Sequence, residues 1–242
     1  MLPLGFFVIA FLYSIVGFGG GSSYLALLAL ADVSFKTIPV ISLICNLLVV
    51  SGGCWHFYKQ GHFNKKLILP FILSSVPMAL LGGMYPISEK TFLLLLAISL
   101  SLAGIRLLFS TPNHNTKTHA PSLTMAIIVG ALLGLLSGLV GLGGGIFLSP
   151  LLLNFKWAQP KEAAATASAF ILLNSLSGLI GQLTKGVPSD LSSYAILFVV
   201  VIMGGQIGSR IGSHSRISQK YIQIGTAILV LFIAGRLIVK IA

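Results

Sequence analysis

Val16-Gly17-Phe18-Gly19-Gly20-Gly21 and Val140-Gly141-Leu142-Gly143-Gly144-Gly145 are one motif written twice in this chain. Each copy sits inside a strongly apolar stretch and is followed by another. Glycine runs are costly inside a helix, so a run at the same point of two halves predicts two helices broken there. Paired glycine-interrupted hydrophobic segments are the best sequence pointer to a binding site at the middle of a membrane.

The surrounding composition agrees. Apolar residues make up 56% of the 242 residues, charged residues 8%, and the mean hydropathy is +1.01. Soluble domains carry about 25% charged residues, so the chain reads as an all-α polytopic membrane protein surrounded by lipid. Hydrophobic stretches fall at 3–31, 37–57, 67–85, 90–110, 122–155, 162–183, 190–209 and 218–241. Most approach the roughly 20 residues that cross a bilayer as helix. The alternating segments of an outer-membrane barrel are absent. The net charge of +11 comes from basic residues in short loops and at segment ends, where they orient a membrane protein; no nucleic-acid partner is expected. The start, MLPLGFFVIAFLYS, has no basic leader region and reads as part of the mature chain.

The likeness between halves reaches beyond the glycines. Asn46 and Asn174 each follow the break, with Gly53 and Gly181 seven residues on, and Ile87-Ser88-Glu89-Lys90 matches Ile217-Ser218-Gln219-Lys220. STPNHNTKTHAP (110–121) is polar and proline-bearing. Two four-segment repeats are therefore expected, 1–110 and 122–242, joined by a linker at 111–121, each with a glycine-broken first helix. Charge bias predicts that they are inverted. Lys59, Lys65 and Lys66 follow the second segment of one half, whereas Arg210, Arg216 and Lys220 follow the third segment of the other. If the first and fifth segments re-enter, Lys and Arg divide about 10 to 5 between the faces; if all eight span, they divide about 8 to 7 and orient nothing. Re-entry places both termini outside and residues 63, 115 and 214 on one face.

A helix restarting after a glycine turn offers unpaired N–H groups and the positive end of its dipole, a ready anion site. The candidate binding residues are therefore Gly19, Gly20, Gly21 and Ser22 on one side and Gly143, Gly144 and Gly145 on the other. Asn46 and Asn174 are added because an amide in hydrocarbon must find a partner or line a polar path; Ser42, Thr166 and Ser168 lie near them. The competing reading is that the glycines only let helices pack closely. Asp32, Glu89, Glu162 and Asp190, the four acidic residues, fall at segment ends, so no mid-membrane proton relay is evident. His56, His62, His114, His119 and His214 show no metal-ligand spacing, Cys45 and Cys54 read as buried thiols, and no nucleophile elbow or phosphate loop occurs. No enzyme activity, metal or cofactor is expected.

These residues resemble the TauE/SafE family of membrane transporters, described as sulfite and organosulfonate exporters. The resemblance rests on the two glycine runs, on Ser149-Pro150-Leu151-Leu152, and on Lys161-Glu162-Ala163-Ala164-Ala165-Thr166-Ala167-Ser168 with Asn174. The first copy departs from the pattern, with Tyr24-Leu25-Ala26 where the family usually carries a proline. The resemblance implies a secondary transporter, an exporter of a small inorganic or organic sulfur anion, in the cytoplasmic (inner) membrane. A cation transporter using carbonyls of the broken segments, and a non-transporting assembly or sensor subunit, are the alternatives.

Overall fold

The computed structural model describes residues 2–15, 17–109, 118–214 and 219–241. Val16, most of the linker, Arg216, Ile217 and Ser218 lie outside the described residues. Among these residues ten α-helices occur in chain order: α1 (Leu2–Ile15), α2 (Gly21–Leu30), α3 (Thr37–Lys59), α4 (Lys65–Met84), α5 (Glu89–Phe109), α6 (Leu123–Val140), α7 (Gly145–Asn154), α8 (Pro160–Leu183), α9 (Ala195–His214) and α10 (Gln219–Ile241). A 3-10 turn (Leu191–Tyr194) leads into α9. No strand occurs among the described residues. Among them, five helices are long and apolar enough to cross a membrane: α3, α4, α6, α8 and α9 with its leading turn. The chain is a polytopic all-α membrane protein.

The expected breaks are present, and both fold the chain back on itself. α1 closes with the Phe18 N–H on the Tyr13 carbonyl (2.9 Å) around left-handed Gly17, a Schellman-type stop. α2 then returns alongside it. Phe6 stacks on Tyr24 with ring centroids 4.6 Å apart, the Tyr13 and Ser23 hydroxyls are 2.6 Å apart, and a Cβ on Gly5 would meet Leu27 at 3.1 Å. α6 stops at Gly141, whose N–H donates to the Ser137 carbonyl (2.8 Å). α7 folds back so that Leu148 and Leu152 share a core with Ala126 and Leu133. Both broken segments are thus hairpins.

Small residues set the remaining packing, because lipid supplies no hydrophobic force between helices and close backbone approach must. Gly130, Gly134 and Gly138 of α6 lie on the backbone of Phe71, Ser75 and Ala79 of α4, so these two helices run parallel. Gly204, Gly208 and Gly212 of α9 lie in the same way on Phe7, Phe11 and Ile15 of α1, again parallel. α3 and α8 cross antiparallel at the centre, with Gly53 facing Ser168 and Gly178 facing Leu43. Among the described residues, the main helix contacts between 2–109 and 118–241 take matching forms: α4 with α8 beside α9 with α3, and α2 with α10 beside α7 with α5. Gly53 and Gly178 stand at matching places of the α3–α8 crossing; Gly181, which the sequence sets beside Gly53, lies elsewhere. Gly181 packs instead against Leu80 and Gly83 of α4.

Gly138→Val would drive a side chain into the Ala79 carbonyl and is expected to cost at least about 1–3 kcal/mol as over-packing. Gly225→Ala meets open space inside α10 and is expected to keep stability or raise it by up to about 1 kcal/mol. Thermal unfolding of both variants in detergent would check the difference.

Candidate functional site

The two glycine turns meet at the centre of the molecule. Ser42 of α3 donates from one hydroxyl toward the carbonyls of Gly21 (3.2 Å) and Gly141 (2.9 Å), one from each hairpin. The Asn46 amide, one turn on, donates to the Leu142 carbonyl (3.4 Å). A Cβ on Gly21 would lie 2.8 Å from that same carbonyl. From the other central helix, Ser168 of α8 donates to the Gly17 carbonyl (2.8 Å) as well as to its own helix at Ala164 (2.9 Å). Each central helix therefore holds the turn belonging to the other half of the chain.

Both restarted helices begin on a left-handed glycine. Gly20 (φ 86°) precedes α2 and Gly144 (φ 78°) precedes α7, and neither helix start has a side-chain cap. A left-handed start without a cap leaves first-turn N–H groups open. The Ser23 and Tyr24 N–H groups both turn back to the Gly20 carbonyl (3.0 Å each). Among the described residues, no acceptor meets the N–H groups of Gly21 and Ser22, or those of Gly145 and Ile146. No Lys, Arg, His, Asp or Glu is buried among the described residues. The positive potential at this centre therefore comes from backbone dipoles alone, roughly half a charge per helix start.

Of the residues expected from sequence, Gly19, Gly20, Gly21 and Ser22 line a small central cavity together with Tyr13, Phe18, Leu142, Ile146 and Ile171. Gly143 and Gly145 border it from the second turn through Ile171. Asn46 lies between the turns and is fully buried; a Cβ on Gly19, Gly21 or Gly143 would run into its amide. Asn174 is the exception. It is fully buried on α8, but its amide donates to its own helix at Phe170 (2.8 Å), and Ile171 occupies the place against Gly143 and Gly145. The pairing of Asn46 with Asn174 that the sequence suggests becomes Asn46 with Ile171. The two helices match at a spacing of 125, as Gly53 and Gly178 do, whereas the asparagines are 128 apart. Sequence reading also missed Tyr13, Tyr24 and Ser175. Tyr24 points its hydroxyl at Gly20, and Ser175 lies beside Gly143. Tyrosines in otherwise apolar hairpin arms were the available signal.

The centre is closed in this conformation, since its cavity holds about 10 Å³, barely one water. A vestibule of about 560 Å³ lies at one end of the molecule, between the loops 31–36, 85–88 and 184–190. Lys36, Thr37, Gln182, Lys185 and Asp190 give it polar walls, and the Thr37 hydroxyl donates to Asp190 (2.9 Å). Partial desolvation against the vestibule wall pushes the Lys185 ammonium below its ordinary pKa. Pro39 forms part of the floor and touches Gly141, so the vestibule ends behind the second glycine turn. The opposite end is tied shut. Lys161 donates to the Gly212 carbonyl (2.7 Å), and Asn64 donates to Glu162 (2.6 Å). Burial and the nearby Lys161 push the His62 imidazole below its usual pKa. No group of metal-ligating side chains occurs among the described residues.

Comparison with known proteins follows from this geometry. The family model described as "Sulfite exporter TauE/SafE" matches residues 1–237. A probable membrane transporter protein of Sinorhizobium fredii, y4hK, is 34% identical over 88% of this chain and 87% of its own length. Probable membrane transporter protein YunE of Bacillus subtilis is 25% identical over 93% of this chain and 92% of its own. "Sulfite exporter TauE/SafE family protein 1" of Arabidopsis thaliana is 32% identical over 46% of this chain and 23% of its own. No solved structure matches. A polytopic helical chain, two glycine-turn hairpins meeting at its centre, and a family match from end to end have one meaning: this chain belongs to the TauE/SafE family of membrane transporters.

Proposed function

We propose that this chain is a secondary transporter that exports a small sulfur-containing anion, sulfite or an organosulfonate, across the cytoplasmic membrane. The anion binds between Gly19–Ser22 and Gly143–Gly145, on the open N–H groups of Gly21, Ser22, Gly145 and Ile146 at the first turns of α2 and α7. Asn46 lines the path between them; Asn174 shapes α8 behind it. The observation that carries this reading is the meeting of two uncapped helix starts in a buried centre that contains no charged side chain. Buried N–H groups without acceptors are costly, and an oxyanion would satisfy several at once. A cation fits less well, because the carbonyls facing the centre, those of Gly21, Gly141 and Leu142, already accept from Ser42 and Asn46.

In the same proposal, residues 1–110 and 122–242 are two repeats inserted in opposite directions. Three features support this reading: the hairpins that return each first segment to its own face, the twinned helix contacts, and the crossing of α3 and α8 in opposite senses. Tracing the helices from a hairpin start puts loops 60–64 and 155–159 on one face, with about 10 of the 15 Lys and Arg residues, which marks that face as cytoplasmic. The vestibule then faces outward, and the Lys161 tie closes the cytoplasmic end. Exchange of the closed and open ends by the two halves gives alternating access around a fixed centre.

Labelled sulfite uptake into proteoliposomes is expected to saturate and to be inhibited by sulfonates but not by sodium; no flux above empty liposomes would overturn the sulfite reading. Gly20→Leu and Gly144→Leu force a side chain onto a left-handed backbone, so each is expected to lower flux by at least about tenfold with folding retained. Full flux in both would overturn the site. With Cys45 and Cys54 removed, single cysteines at positions 63 and 119 are expected to label from one face and those at 87 and 187 from the other. Labelling of all four from one side would overturn the inversion.

A further inference from the structure

We propose that the central site selects a singly charged oxyanion that keeps a hydrogen-bond donor of its own, and that Asn46 is the residue that reads the donor. The inference rests on the anion reading above and narrows its substrate class to species such as hydrogensulfite or a hydroxyalkanesulfonate.

The charge follows from what surrounds the centre. Two helix starts supply roughly half a positive charge each, and no buried basic side chain adds to them among the described residues. One negative charge is matched. A second would be buried unpaired in a medium of low dielectric, which is strongly disfavoured.

The donor follows from Asn46. Its side chain is fully buried, its Nδ2 is committed to the Leu142 carbonyl, and its Oδ1 has no donor. That oxygen lies against Gly19, where a Cβ would strike it, at the mouth of the α2 start. Ser22, Tyr24 and Ser175 also carry hydroxyls without partners near the glycine turns. A hydroxyl turns to donate or accept and so tells an anion nothing about its protonation. An amide oxygen only accepts. A fully deprotonated oxyanion offers it nothing and places a second acceptor beside it, whereas an O–H on the ligand satisfies it. Asn174 Oδ1 is likewise buried without a donor, but α8 presents Ile171 at the place that matches Asn46, so Asn46 is the amide that meets Gly19, Gly21 and Gly143 and fixes one orientation of the ligand. The transported species then carries its proton on itself, which accounts for a central site without an acidic relay.

The test compares isethionate with 1-propanesulfonate. Both are monoanions at neutral pH with equal numbers of heavy atoms, and they differ in a terminal hydroxyl against a methyl. Binding to the full-length purified protein is measured by calorimetry, with sulfite and sulfate as further probes. Isethionate is expected to bind about tenfold more tightly than propanesulfonate, and sulfate more weakly than either. Asn46→Leu is expected to remove the preference by weakening isethionate alone. Equal affinity of the two sulfonates for the unaltered protein would overturn the inference and leave the anion site standing. A preference that persists in Asn46→Leu would overturn the role of Asn46. Failure of sulfite and both sulfonates to bind would instead overturn the reading beneath it.

Discussion

The contact on which the rest of this molecule depends is the one hydroxyl of Ser42 shared between the carbonyls of Gly21 and Gly141. Backbone that leaves helical geometry inside a membrane must find hydrogen-bond partners in the protein. Here the partners come from the two central helices: α3, through Ser42, reaches both breaks, and α8, through Ser168, reaches across to the first. This reciprocity ties the hairpins to each other and brings two helix starts to one point.

Close packing is the second requirement, and glycine meets it at several interfaces. The stripe Gly130, Gly134, Gly138 lets α6 lie on α4, and Gly204, Gly208, Gly212 lets α9 lie on α1. Each hairpin's first arm is thereby clamped to a helix of the other half. The same residue type thus serves packing in these stripes and backbone conformation at Gly20 and Gly144, where φ is positive. At Gly17 and Gly141 both demands fall on one residue, since each has positive φ and lies against the backbone of a central helix, at Ala164 and Pro39.

The molecule is nevertheless not symmetric where it matters. Asn46 faces Ile171 across the centre, the Tyr13–Ser23 hydroxyl contact belongs to one hairpin, and the vestibule with Lys36 contrasts with the closed end held by Lys161. Lys36 and Lys161 are separated by 125 positions, the spacing that relates α3 to α8. One lysine lines an open cavity while its counterpart holds a carbonyl. A pair of matched elements in two unlike arrangements is what a transporter needs to open one side at a time.

The sequence by itself determined the membrane class, the helical content, the two breaks and the glycines at them, because composition and backbone conformational cost act locally and need no partner. It also carried the family, through motifs spread along the whole chain. Tertiary structure decided what those motifs do together. The asparagines look equivalent by the seven residues that separate each from Gly53 or Gly181, yet packing sets Asn46 between the turns and leaves Asn174 bonded to its own helix at Phe170. A difference of three residues along a helix, 125 against 128, keeps a side chain near the same face but moves it about 4.5 Å along the axis, so that Ile171 and not Asn174 stands against Gly143 and Gly145. Ser42 and Ser168 were visible as nearby polar residues, but their crossing to the opposite hairpin was not, since it depends on how α3 and α8 pack. Closure of one end and opening of the other lies in tertiary structure, because the contacts of Lys161 with Gly212 and of Asn64 with Glu162, and the loops that form the vestibule, bring together residues far apart in the chain.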